Sequence, residues 1–234
     1  MHEQHRLRLK NRFLREGLDN FEPHNVLELL LFYSIPRKDV NDTAHDLINR
    51  FGSISGVFDA SYDELMTVPG IKEHSATLIK MIPDIARYYI NDKNFDKKAT
   101  YNLDTIGEFF INKYIGINVE TVYLALLDNK LSLIDCVKVH EGSVNSARFD
   151  SGLLVKKAFL KNASAVVLAH NHPNGYAIPS SDDKASTRNI ELLFESIGVT
   201  FLEHIVVGSG KFCPILSKRA DFFSSSDFKN FYNC

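Results

Sequence analysis

Through residues 1 to about 90, apolar positions recur at intervals of three and four; from about Tyr101 they fall into alternating or unbroken runs. The first texture predicts amphipathic helices and the second a sheet with helices around it. Leu14 to Asn20 leads into an apolar helix over Val26 to Phe32, with Pro23 and His24 as its start. Asn41-Asp42-Thr43 precedes a second helix, Ala44 to Phe51, and Ser61 precedes Glu64-Leu65-Met66. Residues 91–100 are polar and charge-dense, which predicts a linker between a helical region, 1–90, and a second domain, 101–234. In that domain Val119 to Leu127 and Leu131 to Val139 are β-rich and joined across Asp128-Asn129-Lys130, a hairpin pattern. Leu153 to Lys161 and Lys184 to Ile197 predict helices, and Ala165 to Ala169, Thr200 to Val207 and Phe212 to Leu216 predict strands. The expected fold class is α/β (α+β).

Composition narrows the picture by exclusion. A chain of 234 residues with 44% hydrophobic content can build one large core or two small ones. A formal net charge of −2 gives no sign of a nucleic-acid or acidic partner. Cys136, Cys213 and Cys234 are odd in number and widely spaced, without a CxxC, which argues for a reducing compartment and against a cysteine zinc site. Met1 to Arg15 is polar and basic rather than signal-like, and runs such as Leu29 to Tyr33 are too short to span a bilayer. A cytoplasmic protein without membrane contact is expected.

The chemistry concentrates after the strand Ala165 to Ala169, at His170-Asn171-His172. In extended backbone, residues i and i+2 share a face, so both imidazoles reach one point. A loop of turn formers, Pro173-Asn174-Gly175 to Pro179, then leads to Ser180-Ser181-Asp182-Asp183 before a helical stretch. A lone HxH in a strand is more often structural, and Ser180-x-x-Asp183 has capping-box spacing. The capping and ligand readings do not compete, because a carboxylate in a first helical turn has a fixed direction. His170, His172 and Asp183 together make a two-His, one-carboxylate set suited to Zn²⁺ with an open fourth position.

The string His170-x-His172, Ser180 and Asp183, at HxH-x7-S-x2-D spacing, resembles the signature of the JAMM/MPN (JAB) metalloprotease family. The fuller string His170-Asn-His-Pro-Asn-Gly with Pro179-Ser180, and the flanks Asn162 to Ala165 and His204 to Gly208, is similar to its RadC-type branch. That resemblance covers nearly the whole chain, including a helical N-terminal region. It implies an MPN-type mixed sheet flanked by helices and a zinc-dependent hydrolase cleaving an amide or isopeptide bond of an unknown peptide or protein substrate. It also implies a glutamate base near the start of an early strand, which Glu120 fits; Glu141, at a turn beside Gly142, is the competitor. Ser180 would aim its hydroxyl at the oxyanion of the scissile carbonyl. His204, on the strand Phe201 to Val207, is expected to be a packed or supporting histidine rather than a fourth ligand. Phe149 to Leu153 and Glu203 depart from the branch's pattern, which bears on substrate handling.

Val68-Pro69-Gly70-Ile71-Lys72 resembles a helix-hairpin-helix turn, which holds DNA by aiming backbone N–H groups at phosphates. Lys72 stands where such turns carry a second glycine. Residues 1–92 hold eleven Lys and Arg against fourteen Asp and Glu, and the basic run is confined to Arg6, Arg8, Lys10, Arg12 and Arg15. Phosphate neutralisation drives non-specific affinity, so DNA as a partner is weakly supported. Two rival readings follow: a DNA- or protein-binding adaptor with a structural metal, and a metal-dependent nuclease, which would use the same Lewis acid.

Overall fold

The structure, a computed structural model, describes residues 2–94, 100–143, 150–173 and 175–216. It divides into two compact units, Met1–Ala86 and Arg87–Cys234.

The first unit is helical: α1 (His2–Glu16), α2 (Pro23–Ser34), α3 (Asn41–Phe51), α4 (Ile54–Asp59), α5 (Tyr62–Met66) and the start of α6 (Glu73–Asn94). Pro23 stands in the first turn of α2, where its missing N–H costs nothing. Leu27, Leu31, Leu47, Val57, Leu65 and Ile79 are fully buried in one core. Arg6 donates to the carbonyls of Phe32, Ile35 and Lys38 at 3.2, 2.7 and 2.5 Å, satisfying the open end of α2. Helix α1 begins well before the predicted Leu14, because Leu9 is buried while Leu7 and Leu14 are exposed, which leaves little apolar periodicity to read. The turn between α5 and α6 holds Gly70 at φ +86°, and a Cβ there would meet Thr43 Oγ1 at 2.4 Å, so only glycine fits. Helix α6 continues to Asn94, through the first residues of the predicted linker, and residues 95–99 lie outside the described residues.

The second unit contains α7 (Leu103–Lys113), β1 (Thr121–Leu127), β2 (Leu133–Glu141), α8 (Ser151–Leu160), β3 (Ala165–Asn171), α9 (Ser181–Ser196), β4 (Thr200–Gly208) and β5 (Lys211–Pro214). Its mixed sheet has the order β2-β1-β3-β4-β5. Only β3 and β4 run parallel, joined through α9; the other neighbours are antiparallel. The predicted hairpin, helices and strands all form, with ends displaced by a few residues. Helix α7 was not anticipated, although Asn102 caps it through the Thr105 N–H at 2.8 Å and Ile106 and Phe110 bury at helical spacing.

Strand parity sorts the core into two layers. Ala165, Val167 and Ala169 pack with Ile106 and Phe110 of α7 on one face. Val166 and Leu168 pack with Leu154 of α8 and Ile190 and Phe194 of α9 on the other. Burying a side chain of that size contributes about 1.5–3 kcal/mol. The same alternation sends His170 to the α9 face and Asn171 to the α7 face. Among the described residues, no helix is long and apolar enough to cross a membrane.

Candidate metal centre

His170 ends the α9-facing row of β3, fully buried, and His172 follows just past the strand with 27% of its side chain exposed. Asp183 reaches them from the first turn of α9, its side chain 4% exposed. The two Nε2 atoms are 3.1 Å apart; Asp183 Oδ1 lies 3.5 Å from that of His170, and Oδ2 lies 3.9 Å from that of His172. One donor atom from each of the three residues falls within 4.8 Å of the others.

Hydrogen bonds behind the imidazoles decide what these atoms can do. The Thr187 hydroxyl donates to the Asp183 carbonyl at 2.6 Å, which uses its one proton. At 2.6 Å from His204 Nδ1 the same oxygen must therefore accept, so His204 carries its proton on Nδ1. Complete burial holds the His204 pKa well below the usual imidazole value, with His170 pushing the same way, so its Nε2 is a lone pair. That lone pair accepts from His170 Nδ1–H at 2.8 Å. Burial, opposed by Asp183 and aided by His172, brings the His170 pKa down to about 4; neutral His170 thus presents a lone pair at Nε2. His172 Nδ1 donates to the Tyr176 carbonyl at 3.0 Å, so its neutral form does likewise. Three electron-pair donors converge with no proton between them, an arrangement that fits a cation.

Ser180 caps α9: its Oγ accepts from Asp183 N at 3.0 Å and donates to Asp183 Oδ2 at 2.6 Å, and its own N–H reaches Oδ2 at 2.9 Å. The capping box and the carboxylate of the trio are therefore one structure. Burial pushes the Asp183 carboxyl up, but Ser180 and then the two imidazoles outweigh it and leave it below the usual range.

Glu120 stands one residue before β1. Its half-buried carboxyl is raised above the usual glutamate range, chiefly by burial, with His172 lowering it and Asp183 raising it. The last β1–β3 pair is Val122↔His170, two residues beyond Glu120 along the chain, and His172 is among the groups that act electrostatically on the Glu120 carboxyl. Glu141 pairs instead with Lys138 at an exposed position, and that ammonium lowers its pKa. His204, expected from the sequence as a packed or supporting histidine, lies fully buried in β4, and its hydrogen-bond partner, His170, comes from the structure alone. Thr187 is the residue that sequence reasoning missed; its signal was its place one helical turn after Asp183. Glu203, 3% exposed, accepts from the backbone N–H groups of His204, Ile215 and Leu216, tying β4 to the residues that follow β5. Asn174 and Phe149 lie outside the described residues.

A helix-flanked mixed sheet with two histidines at the end of a central strand and a carboxylate on the following helix defines an α+β domain with a candidate metal centre. Residues 100–220 match the family described as the RadC-like JAB domain, and the chain belongs to that family. It is 30% identical over 221 residues to "UPF0758 protein FN0909" of Fusobacterium nucleatum subsp. nucleatum, covering 92% of this chain and 95% of that protein.

Proposed function

We propose that the protein is a zinc-dependent hydrolase of JAMM/MPN type that cleaves an amide or isopeptide bond in a peptide or protein. The observation that carries this reading is the convergence of two Nε2 lone pairs and a buried carboxylate, with a raised-pKa glutamate beside them. In this reading His170, His172 and Asp183 hold Zn²⁺, residues 101–234 carry the chemistry and residues 1–90 form a helical region of their own. When bound, the ion supplies Lewis acidity, polarising a carbonyl oxygen and making water a nucleophile near neutral pH.

The chain's own groups do the rest. Glu120 takes a proton on its carboxylate and returns it to the leaving nitrogen; burial lifts its pKa towards the working pH, which favours both transfers. Glu141, held by Lys138, has no such surroundings. Ser180 steadies Asp183 and, on turning its hydroxyl from that carboxylate, donates to the substrate oxyanion. The His204–Thr187 chain keeps His170 Nε2 free of a proton.

Elemental analysis with X-ray absorption tests the site: about one Zn²⁺ per chain in a nitrogen and oxygen shell is expected. Protein that stays metal-free at saturating zinc, or a sulfur shell, would refute it. On a substrate found by screening peptides with zinc-loaded protein, Glu120→Gln should keep the metal and lose about 10²–10⁴-fold in turnover. His172→Ala should lose metal and turnover together. Ser180→Ala should keep the metal at saturating zinc, with affinity weakened by about 10–100-fold for loss of the hydroxyl that steadies Asp183, and lower kcat by roughly 10²–10³. Full activity in Glu120→Gln would move the role to Glu141, and loss of zinc there would make Glu120 a ligand.

A further inference from the structure

We propose that Asn171, the residue between the two histidines, is a positioning residue that holds Glu120 against the metal centre. This rests on the metal reading above. Parity sends Asn171 to the α7 face, away from the trio, and only 3% of it is exposed. Its Oδ1 accepts from Thr121 N at 2.8 Å, and its Nδ2 donates to the carbonyls of Ile117 and Val119, each at 3.2 Å. The amide's orientation follows, because two carbonyls demand the NH₂ group and an N–H demands the oxygen. One side chain thereby ties down residues 117–121, the segment that carries Glu120.

The strand pairing shows why a side chain is needed there. The β1–β3 register ends at Val122↔His170, and the next position, Thr121 opposite Asn171, is bridged by the Asn171 amide. On the β2 side the Glu120 carbonyl accepts from Gly142 N at 2.7 Å; the Thr121 carbonyl accepts from the Tyr114 hydroxyl at 3.1 Å. Without the amide, residues 117, 119 and 121 lose these three hydrogen bonds to the strand bearing the histidines, while the Glu120 carbonyl keeps its bond from Gly142. Displacing a reacting group by about 1 Å costs on the order of 10² in rate, so such a tie has a catalytic consequence. Asp has the shape of Asn but would set an oxygen against the Ile117 and Val119 carbonyls, so it separates space-filling from hydrogen bonding.

The test uses the full chain loaded with Co²⁺ and ¹³C-labelled at glutamate, with Glu120 assigned through Glu120→Gln. Wild type should show two hyperfine-shifted ring N–H signals, from the Nδ1–H of His170 and His172, and a Glu120 carboxyl signal broadened by the nearby ion. Asn171→Asp should keep both ring signals and the cobalt affinity, while the Glu120 signal sharpens and Thr121 N–H exchange accelerates. Asn171→Ser, which is too short to reach three partners, carries the same expectation should Asn171→Asp fail to fold. If Glu120 stays broadened while Thr121 exchange accelerates, Asn171 is merely structural and the inference is overturned. Absence of shifted ring signals in wild type would instead overturn the metal reading, and this inference with it.

Discussion

The helical unit and the sheet unit each contain the same helix-starting device, used for different ends. In the first, Ser61 Oγ donates to Glu64 Oε2 at 2.7 Å and accepts from Glu64 N at 3.2 Å, at an exposed position. In the second, Ser180 makes the matching pair with Asp183, but the carboxylate is buried and its other oxygen lies 3.5 Å from His170 Nε2. The local code is the same; what differs is the strand end that the second helix start faces. Buried polar groups follow the same division. Among the described residues the helical unit buries Glu28 and Ser75, whereas the sheet unit buries Thr121, His170, Asn171, Asp183, Thr187, Glu203 and His204. Buried polar groups are retained only when partnered, and theirs are one another and the backbone around them.

The largest test of this contrast is core truncation in each unit. Phe194, fully buried between α9 and the sheet, should cost about 3–5 kcal/mol when replaced by Ala, and metal affinity should fall because α9 carries Asp183. Leu47→Ala in the helical core should cost about 2–5 kcal/mol and leave metal affinity unchanged. Urea melts with chelator competition would measure both, and metal loss in Leu47→Ala would break the contrast.

Acid should next distinguish the metal-free units. His170 and His204 are held neutral in the fold, with pKa values below that of a free imidazole, so the unfolded chain binds more protons between the two values. Their stabilisation is complete above the unfolded value and is lost as pH falls towards about 4, the folded value for His170. The slope is up to about 1.4 kcal/mol per pH unit for each imidazole. Glu120, raised, works in the opposite direction as one group against two. Denaturation of metal-free protein at pH 7, 6 and 5 should show the sheet unit weakening; a flat profile would contradict the assignment of neutral, buried imidazoles.

Thr187→Val keeps the shape but removes the oxygen that fixes the His204 tautomer. Metal affinity should fall by about 10–100-fold, as for other groups that orient a ligand. Unchanged affinity in a chelator titration would show that His170 needs no such support. Smallest in stability is the pair of caps: Ser61→Ala and Ser180→Ala should each cost about 1 kcal/mol in thermal melts. Only the second should lower kcat, and equal silence in the rate assay would make the two devices alike.

Much of this was legible in the chain. Periods of 3.6 and 2 separate the helical region from the sheet, and the HxH parity puts two imidazoles on one face, because both follow from backbone geometry alone. Capping spacing likewise fixes the direction of Asp183 within its own helix. Helices α1 and α7 were harder to see: α1 carries little apolar stripe, and α7 lies in the stretch where the apolar texture turns β-like. What the sequence could not supply are relations between distant segments. That His204 rather than solvent stands behind His170, that Thr187 closes the chain to Asp183, and that Asn171 ties down the stretch before β1 depend on strand order and register. The proposal of Glu120 over Glu141 has the same origin, since the two are near each other along the sheet but one is half-buried within electrostatic reach of His172 and the other pairs with Lys138. A sequence states which groups are available and, through local periodicity, which way each points from its own strand or helix; only packing those elements together decides what each group meets.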